Sequence, residues 1–187
     1  MFLPLLLRFF SDDYDDTSSA VFQVTTELLS LIRKEKKITG TLAPGHATML
    51  QPILNAIVMK TKYDADTNWG DEDEQSEEAE FEQLRKQLKT MQDAISTIDE
   101  NLYIDLMSQL VEGTFDRMQG GNNSVDWRDV DLALYEMYSF GEMAMRYGGL
   151  YSKGRPTGLP AERLINMLGK MMASSKSVPV RCDDLSY

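Results

Sequence analysis

Residues 81–98 read FEQLRKQLKTMQDAISTI, and their apolar members recur with the rhythm of a helix. Phe81, Leu84, Leu88, Met91, Ile95 and Ile98 follow one another in steps of three and four. That spacing puts all six on one side of a 3.6-residue turn, with polar and charged residues on the other. The same steps would suit a coiled-coil seam, but the run is shorter than the three to four heptads such a seam sustains. The spacing therefore predicts a helix packed into a larger helical layer.

The pattern continues downstream. Asp99 opens a helix with Leu102, Leu106, Leu110, Val111 and Phe115 inward. GGNN (Gly120 to Asn123) is a strong turn signal. Ser124 is placed to cap the next helix, whose inner face carries Trp127, Val130, Leu134, Met137 or Tyr138, and Gly141, and which Gly148 and Gly149 terminate. Pro160 starts a last helix with a stripe of Leu164, Ile165, Leu168, Met171 and Met172. Ser174 to Tyr187 reads as a loop. Upstream, Asp64 to Gln75 is acidic and lacks an apolar period, which predicts a solvated, mobile loop. Glu77, Glu78 and Glu80 then fall in first turns, where negative charge complements the helix dipole. Before the loop, a helix over His46 to Lys62 carries Leu50, Ile53, Leu54, Ile57 and Val58, with Pro44 and Gly45 setting its entry. Another runs from about Asp16 to Lys37 and stops at Gly40. Its face is Val21, Val24, Leu28 and Ile32, with Phe22 and Leu29 beside them, and Asp15, Asp16, Thr17 and Ser18 are placed to cap it.

The first ten residues, MFLPLLLRFF, have the look of an export signal without its parts. Arg8 lies inside the apolar run rather than before it, Pro4 interrupts it, and Phe9 and Phe10 stand where small residues are needed. The run is too short to span a bilayer, which takes about 20 apolar residues. The segment is expected to be the remainder of an amphipathic helix in a helical array. No strand is predicted. Seven helices, the first one truncated, joined by short loops except for the acidic one, pair as antiparallel hairpins. The expected class is all-α, an α-solenoid of HEAT-type hairpins, about three plus a partial one. The starts of the second helices, near Asp16, Gln75 and Ser124, are spaced more widely than typical HEAT repeats, so a compact helical bundle stays open on pattern alone. The domain expectation is one internal segment of a repeat superhelix over residues 1–187.

Composition narrows the function classes. The chain has 187 residues, 42% hydrophobic and 26% charged, as in ordinary soluble domains. Cys182 is the single cysteine and His46 the single histidine, which rules out an internal disulfide and argues against a zinc site built from such ligands. A reducing compartment, cytosol or nucleus, fits. The net charge of -11 makes the whole chain a poor nucleic-acid binder by bulk electrostatics, so any phosphate contact requires a local basic patch. His46 and Cys182 have no nucleophile or base beside them, and GRPTG lacks the Walker spacing. Asp71, Glu72, Asp73 and Glu74 lack the ligand pattern of a calcium loop, and a wet loop is a poor place to shift a carboxylate for acid–base work. Twelve methionines suit adaptable packing between helices. Trp127 is expected in the core, and Trp69 stands in the acidic loop without periodic partners.

Three stretches, FLPLLLRFFSDDYDDTSSAVFQVTTELLSLIRKE (2–35), AEFEQLRKQLKTMQDAISTID (79–99) and DWRDVDLALYEMYSFGE (126–142), resemble successive pieces of the exportin-T family of the importin-β superfamily. The resemblance covers nearly the whole chain in order. Its most specific parts are the DDTSS helix start, the acidic stretch followed by FxxLRKxL, and the helix Trp127-x-x-Val130-x-x-Ala133-Leu134-Tyr135 ending in Gly141-Glu142. Members are several times longer, so the resemblance implies an internal slice of a superhelix. It also implies a nuclear export receptor that shuttles between nucleus and cytoplasm, binds Ran-GTP and tRNA, and performs no chemistry of its own, with no cofactor. Nucleoporins are a further candidate partner, membrane insertion is not expected, and the full-length protein is expected to be monomeric. Apolar faces at the ends of such a slice invite self-association.

In that frame Arg33, Lys34, Lys36 and Lys37, the densest basic cluster, are candidate tRNA contacts, each a phosphate contact without base information. The alternative reading is favourable charge at a helix C-terminus. Lys153 and Arg155 form a second, weaker tRNA candidate. Asp71, Glu72, Asp73 and Glu74 are candidate Ran contacts, against the alternative of a solvated insertion. Another cargo on the same fold, or an acidic helical scaffold, are the competing function classes.

Overall fold

A computed structural model describes residues 2–12, 15–64, 75–120, 125–146, 151–152, 155–156 and 158–174. Its elements are α1 (Phe2–Phe10), α2 (Asp15–Ser19), α3 (Phe22–Thr39), α4 (Pro44–Lys60), α5 (Gln75–Ile98), α6 (Glu100–Gln119), α7 (Trp127–Arg146), β1 (Tyr151–Ser152), β2 (Arg155–Pro156) and α8 (Leu159–Ser174). The class is all-α, of the helical solenoid type. β1 and β2 form a two-residue antiparallel ladder where no strand is predicted, a tight hairpin that leaves the class unchanged. The expected helix from Asp16 divides at Ala20 and Val21. Asp15–Ser19 form the short α2, and Val21 precedes α3 with no side-chain cap. Gly40 stops α3 as expected: it takes a left-handed φ of 77° and returns its N–H to the Lys36 carbonyl.

The first compact unit covers Met1–Tyr103. Pro44 opens α4 at the position where its missing N–H costs nothing. The predicted stripe Leu50, Ile53, Leu54, Ile57 and Val58 is fully buried there, and Leu88, Met91, Ile95 and Ile98 of α5 are buried with it. The end of α4 lies against the first half of α5: Tyr63 stacks on Phe81 at 4.4 Å, and Arg85 Nε donates to the Thr61 carbonyl at 3.0 Å. These two helices therefore run in opposite senses, as a hairpin. Lys60 Nζ, at the end of α4, donates to the Asp12 carbonyl just past α1, and Lys36 Nζ, near the end of α3, donates to the Ile98 carbonyl at the end of α5. So α1 and α4 pack in the same sense, and so do α3 and α5. Same-sense packing of the equivalent helices of successive hairpins is how a solenoid grows.

The buried face of α3 is Phe22, Thr25, Leu29 and Ile32: Ile32 of the expected line is inward with the flanking Phe22 and Leu29, whereas Val21 and Leu28 are half-buried and Val24 is exposed. Thr25 belongs inside because its hydroxyl donates to the Val21 carbonyl at 2.8 Å, so no polar group is left dry. Val24, Leu31 and Ile38 form an exposed stripe, and Phe2, Leu5 and Phe9 form another on α1.

The second unit covers Ile104–Tyr187. Asp99 accepts the Leu102 N–H at 3.1 Å, the cap predicted for α6. The buried side of α6 is Met107, Val111 and Phe115, with Leu106 and Leu110 half-buried beside it. On α7 the expected inner face divides: Val130, Met137 and Gly141 are half-buried, with Gly141 next to Leu164 of α8, and the rest face outward. Trp127 is 41% exposed, and Leu134, Tyr138 and Met145 are exposed, while Leu132, Ala133, Phe140 and Met143 are buried. On α8 only Leu164 of the expected stripe is buried, beside Ala161 and Met167, whereas Ile165, Leu168 and Met172 are exposed. Helices of a stacked layer are apolar on more than one side, so periodicity finds stripes but does not say which one is inward. Arg163 of α8 pairs with Asp105 of α6 at 3.6 Å, and Lys170 with Glu112 at 3.5 Å and with Asp116. The pairs advance together along both helices, so α6 and α8 also run in the same sense.

Candidate nucleic-acid interface

The densest basic cluster occupies the last turns of α3. Its position follows from chain chemistry: cations are favoured where helix carbonyls lose their partners. Arg33, Lys34 and Lys37 are exposed. Lys36 is half-buried, and its ammonium satisfies the Ile98 carbonyl at the end of α5. The four predicted residues thus divide into three solvent-facing cations and one that ties two helix ends together.

Glu35, between them, points elsewhere. Its carboxylate accepts the Ala43 N–H at 3.3 Å and contacts His46 Nδ1 at 2.5 Å. This pairing pins the Thr41–Ala43 connection to the end of α3 and to the start of α4. It also keeps Glu35 from neutralising its basic neighbours directly. The result is a short, rigidly mounted basic edge on an acidic chain. It can make point contacts to phosphates.

Asp71, Glu72, Asp73 and Glu74, Trp69, and Lys153 lie outside the described residues, as do Asn122, Asn123, Ser124 and Cys182. Arg155 stands in β2. The α3 cluster and Arg155 belong to separate units. Among the described residues no group of three or more His, Cys, Asp or Glu could hold a metal ion. No described helix is long and apolar enough to cross a membrane. A shallow cavity of about 470 Å³ at the start of α8 is lined by Gly158, Leu159, Glu162, Ile165 and Asn166, a lone carboxylate among apolar and amide groups.

Two features escaped the sequence reading. Arg85 is buried, with its guanidinium carbon 4.5 Å from the Tyr63 ring centre and 4.7 Å from that of Phe81. The aromatic residues flank the acidic stretch, which was the available signal. Asp126 rather than Ser124 lies at the start of α7: its Oδ1 accepts the N–H of Arg128 at 2.6 Å and of Asp129 at 3.3 Å. The Arg128 side chain donates to the same carboxylate, and this, ahead of the two backbone N–H groups, holds the Asp126 carboxyl below its ordinary value.

The exportin-T family model matches residues 1–180. Exportin-T of Phaeosphaeria nodorum is 48% identical over 174 residues, 93% of this chain and 17% of that protein. Exportin-T of Emericella nidulans is 47% identical over 174 residues, with the same coverage. Exportin-T of Botryotinia fuckeliana is 49% identical over 173 residues, 92% of this chain and 16% of that protein. The chain therefore spans about one sixth of the length of these curated relatives.

Proposed function

The chain belongs to the exportin-T family, and from that premise we propose that it is a segment of a nuclear export receptor that carries tRNA from nucleus to cytoplasm together with Ran-GTP. The family match over residues 1–180 is the observation that carries this reading. Same-sense helix packing in both units supports it, because a stack of hairpins can bend as a spring does. Ran-GTP and tRNA would each favour one curvature of the intact receptor, and each would then tighten the other's binding by linkage. The receptor shuttles through the nuclear pore, with nucleoporins as further partners, and does no chemistry itself. In this reading Arg33, Lys34 and Lys37 contact tRNA phosphates, Lys36 holds their helix in place, Lys153 and Arg155 add a second basic point, and Asp71, Glu72, Asp73 and Glu74 meet a basic face of Ran. An acidic chain that binds RNA at a few basic points suits recognition of folded shape over sequence.

The test uses the intact receptor with tRNA, with and without GTP-loaded Ran. Strong tRNA retention is expected only when both are present. Retention without Ran would support a scaffold, and Ran-dependent capture of a protein but not tRNA would support a different cargo. Reversing Arg33, Lys34 and Lys37 to Glu should weaken tRNA binding and flatten its dependence on salt. The log–log slope should fall by up to about 0.9 for each phosphate that is no longer neutralised. An unchanged slope removes them from the interface.

A further inference from the structure

Thr39 closes α3, directly after the basic cluster. Lys36 stands three residues before it and Lys37 two, and no other serine or threonine of the chain has cations at both of those positions. That spacing is the charge pattern by which basic-directed protein kinases choose an acceptor hydroxyl, since acidic side chains of the kinase groove pair with cations upstream of it.

The local structure suits such an acceptor. A kinase takes its acceptor in extended backbone, so the last turn of α3 must open. Lys37, Ile38, Thr39, Gly40 and Thr41 are all exposed, Ile38 by 73%. Opening that turn gives up backbone hydrogen bonds and no buried apolar surface, which marks a segment that opens at low cost. Gly40 already leaves the helix in the left-handed region. The Thr39 hydroxyl is within donating distance of the Glu35 carbonyl, at 2.9 Å, and of the Thr41 carbonyl, at 2.6 Å, both at the exposed surface.

We propose that Thr39 is a phosphorylation site for a basic-directed serine/threonine kinase, and that the phosphate switches off the basic edge. In the transfer the γ-phosphorus of a nucleoside triphosphate gains a bond to Thr39 Oγ1 and loses its bond to the β-phosphate. The diphosphate leaves, and the hydroxyl proton goes to the catalytic carboxylate of the kinase. The new group carries about −1.5 to −2 charges near pH 7. It stands at a helix C-terminus, where the open carbonyls repel it, so it turns to the neighbouring cations. Lys36, one turn back, exchanges a neutral partner, the Ile98 carbonyl, for a charged one. Glu35 does not contest the phosphate directly, because its carboxylate is directed to Ala43 and His46. Cations paired within the chain no longer meet phosphates outside it. That Thr39 accepts the group is independent of the tRNA reading; that the group disengages tRNA rests on it.

The full-length protein treated with ATP and the catalytic subunit of cyclic-AMP-dependent kinase, or protein kinase C, tests both halves, with sites mapped by mass spectrometry. Phosphate is expected on Thr39, and Lys37→Gln is expected to slow its addition about three- to tenfold. No phosphate on Thr39 with either kinase, or a rate unmoved by Lys37→Gln, overturns the assignment. Kinase treatment is then expected to lower tRNA affinity in the presence of GTP-loaded Ran on the order of tenfold at about 0.1 M salt, and to flatten the salt slope. It is expected to do neither in Thr39→Val, which keeps the shape and lacks the acceptor. Equal losses in Thr39→Val place the effect elsewhere and overturn the switch. A phosphorylated protein that binds tRNA as tightly as before, while reversal of Arg33, Lys34 and Lys37 to Glu weakens binding, overturns the switch and leaves the tRNA reading standing. If that reversal also has no effect, the tRNA reading of the edge fails and the switch fails with it.

Discussion

Asp126 and Arg85 show what single side chains do here. Asp126 caps α7, and its carboxyl is held below the ordinary value of 3.8, first by the Arg128 side chain. A depressed value means the group stabilises the fold at pH above 3.8, with the contribution lost as pH falls through the lowered value. Replacing Asp126 with Ala is expected to cost about 1 kcal/mol at neutral pH, with the difference from wild type shrinking in acid below that range. Urea unfolding at a series of pH values measures it. Arg85 is a buried cation whose partners include two aromatic faces, the Thr61 carbonyl and the Glu82 carboxylate at 3.7 Å. Arg85→Ala strands that carbonyl and empties the space between the rings, and is expected to cost about 2–4 kcal/mol. Arg85→Lys should recover only part, since a planar guanidinium stacks on rings where an ammonium does not. Neither residue's role was legible beforehand: Ser124 is as good a cap by type as Asp126, and a mid-helix Arg reads as solvent-facing until its neighbours across the loop are known.

Helices differ in how much of their packing the sequence reveals. In α4 the apolar positions form one stripe, and all five predicted members are buried. Leu54→Ala is expected to cost about 2–5 kcal/mol in chemical denaturation, the cost of lost transfer energy and a cavity. The faces of α3, α7 and α8 were read only in part, for one reason. Each carries apolar residues on two flanks, and Thr25 of α3 and Ser139 and Glu136 of α7 are polar residues on the buried side. The pairing of α6 with α8 is electrostatic in part. Lys170, bonded to Asp116 first and near Glu112, is raised above its ordinary 10.5. A raised value means its contribution is present below 10.5 and is lost as pH climbs through the raised value. Because these side chains are partly exposed, Lys170→Gln is expected to cost only about 0–1 kcal/mol, and less still in about 1 M salt.

Under the proposed function, neutralising Asp71, Glu72, Asp73 and Glu74 to Asn and Gln in the full-length protein is expected to weaken Ran-GTP binding most at low ionic strength. Unchanged affinity at about 0.05 M salt would leave the stretch as a solvated insertion. Family membership was readable because it rests on ordered residue types along the chain, and the basic cluster on α3 because charge density is a local property. The sequence by itself determined that this protein is built of helices, where most begin and end, and that Asp99 and Gly40 bound them, since hydrogen-bond periodicity, caps and breakers act over a few residues. Only the tertiary structure decided which flank of α3, α7 and α8 is buried, which cations are occupied with a neighbouring carbonyl, and which helices lie side by side in the same sense. Those outcomes depend on groups tens of residues away in the chain, whose proximity no local pattern encodes.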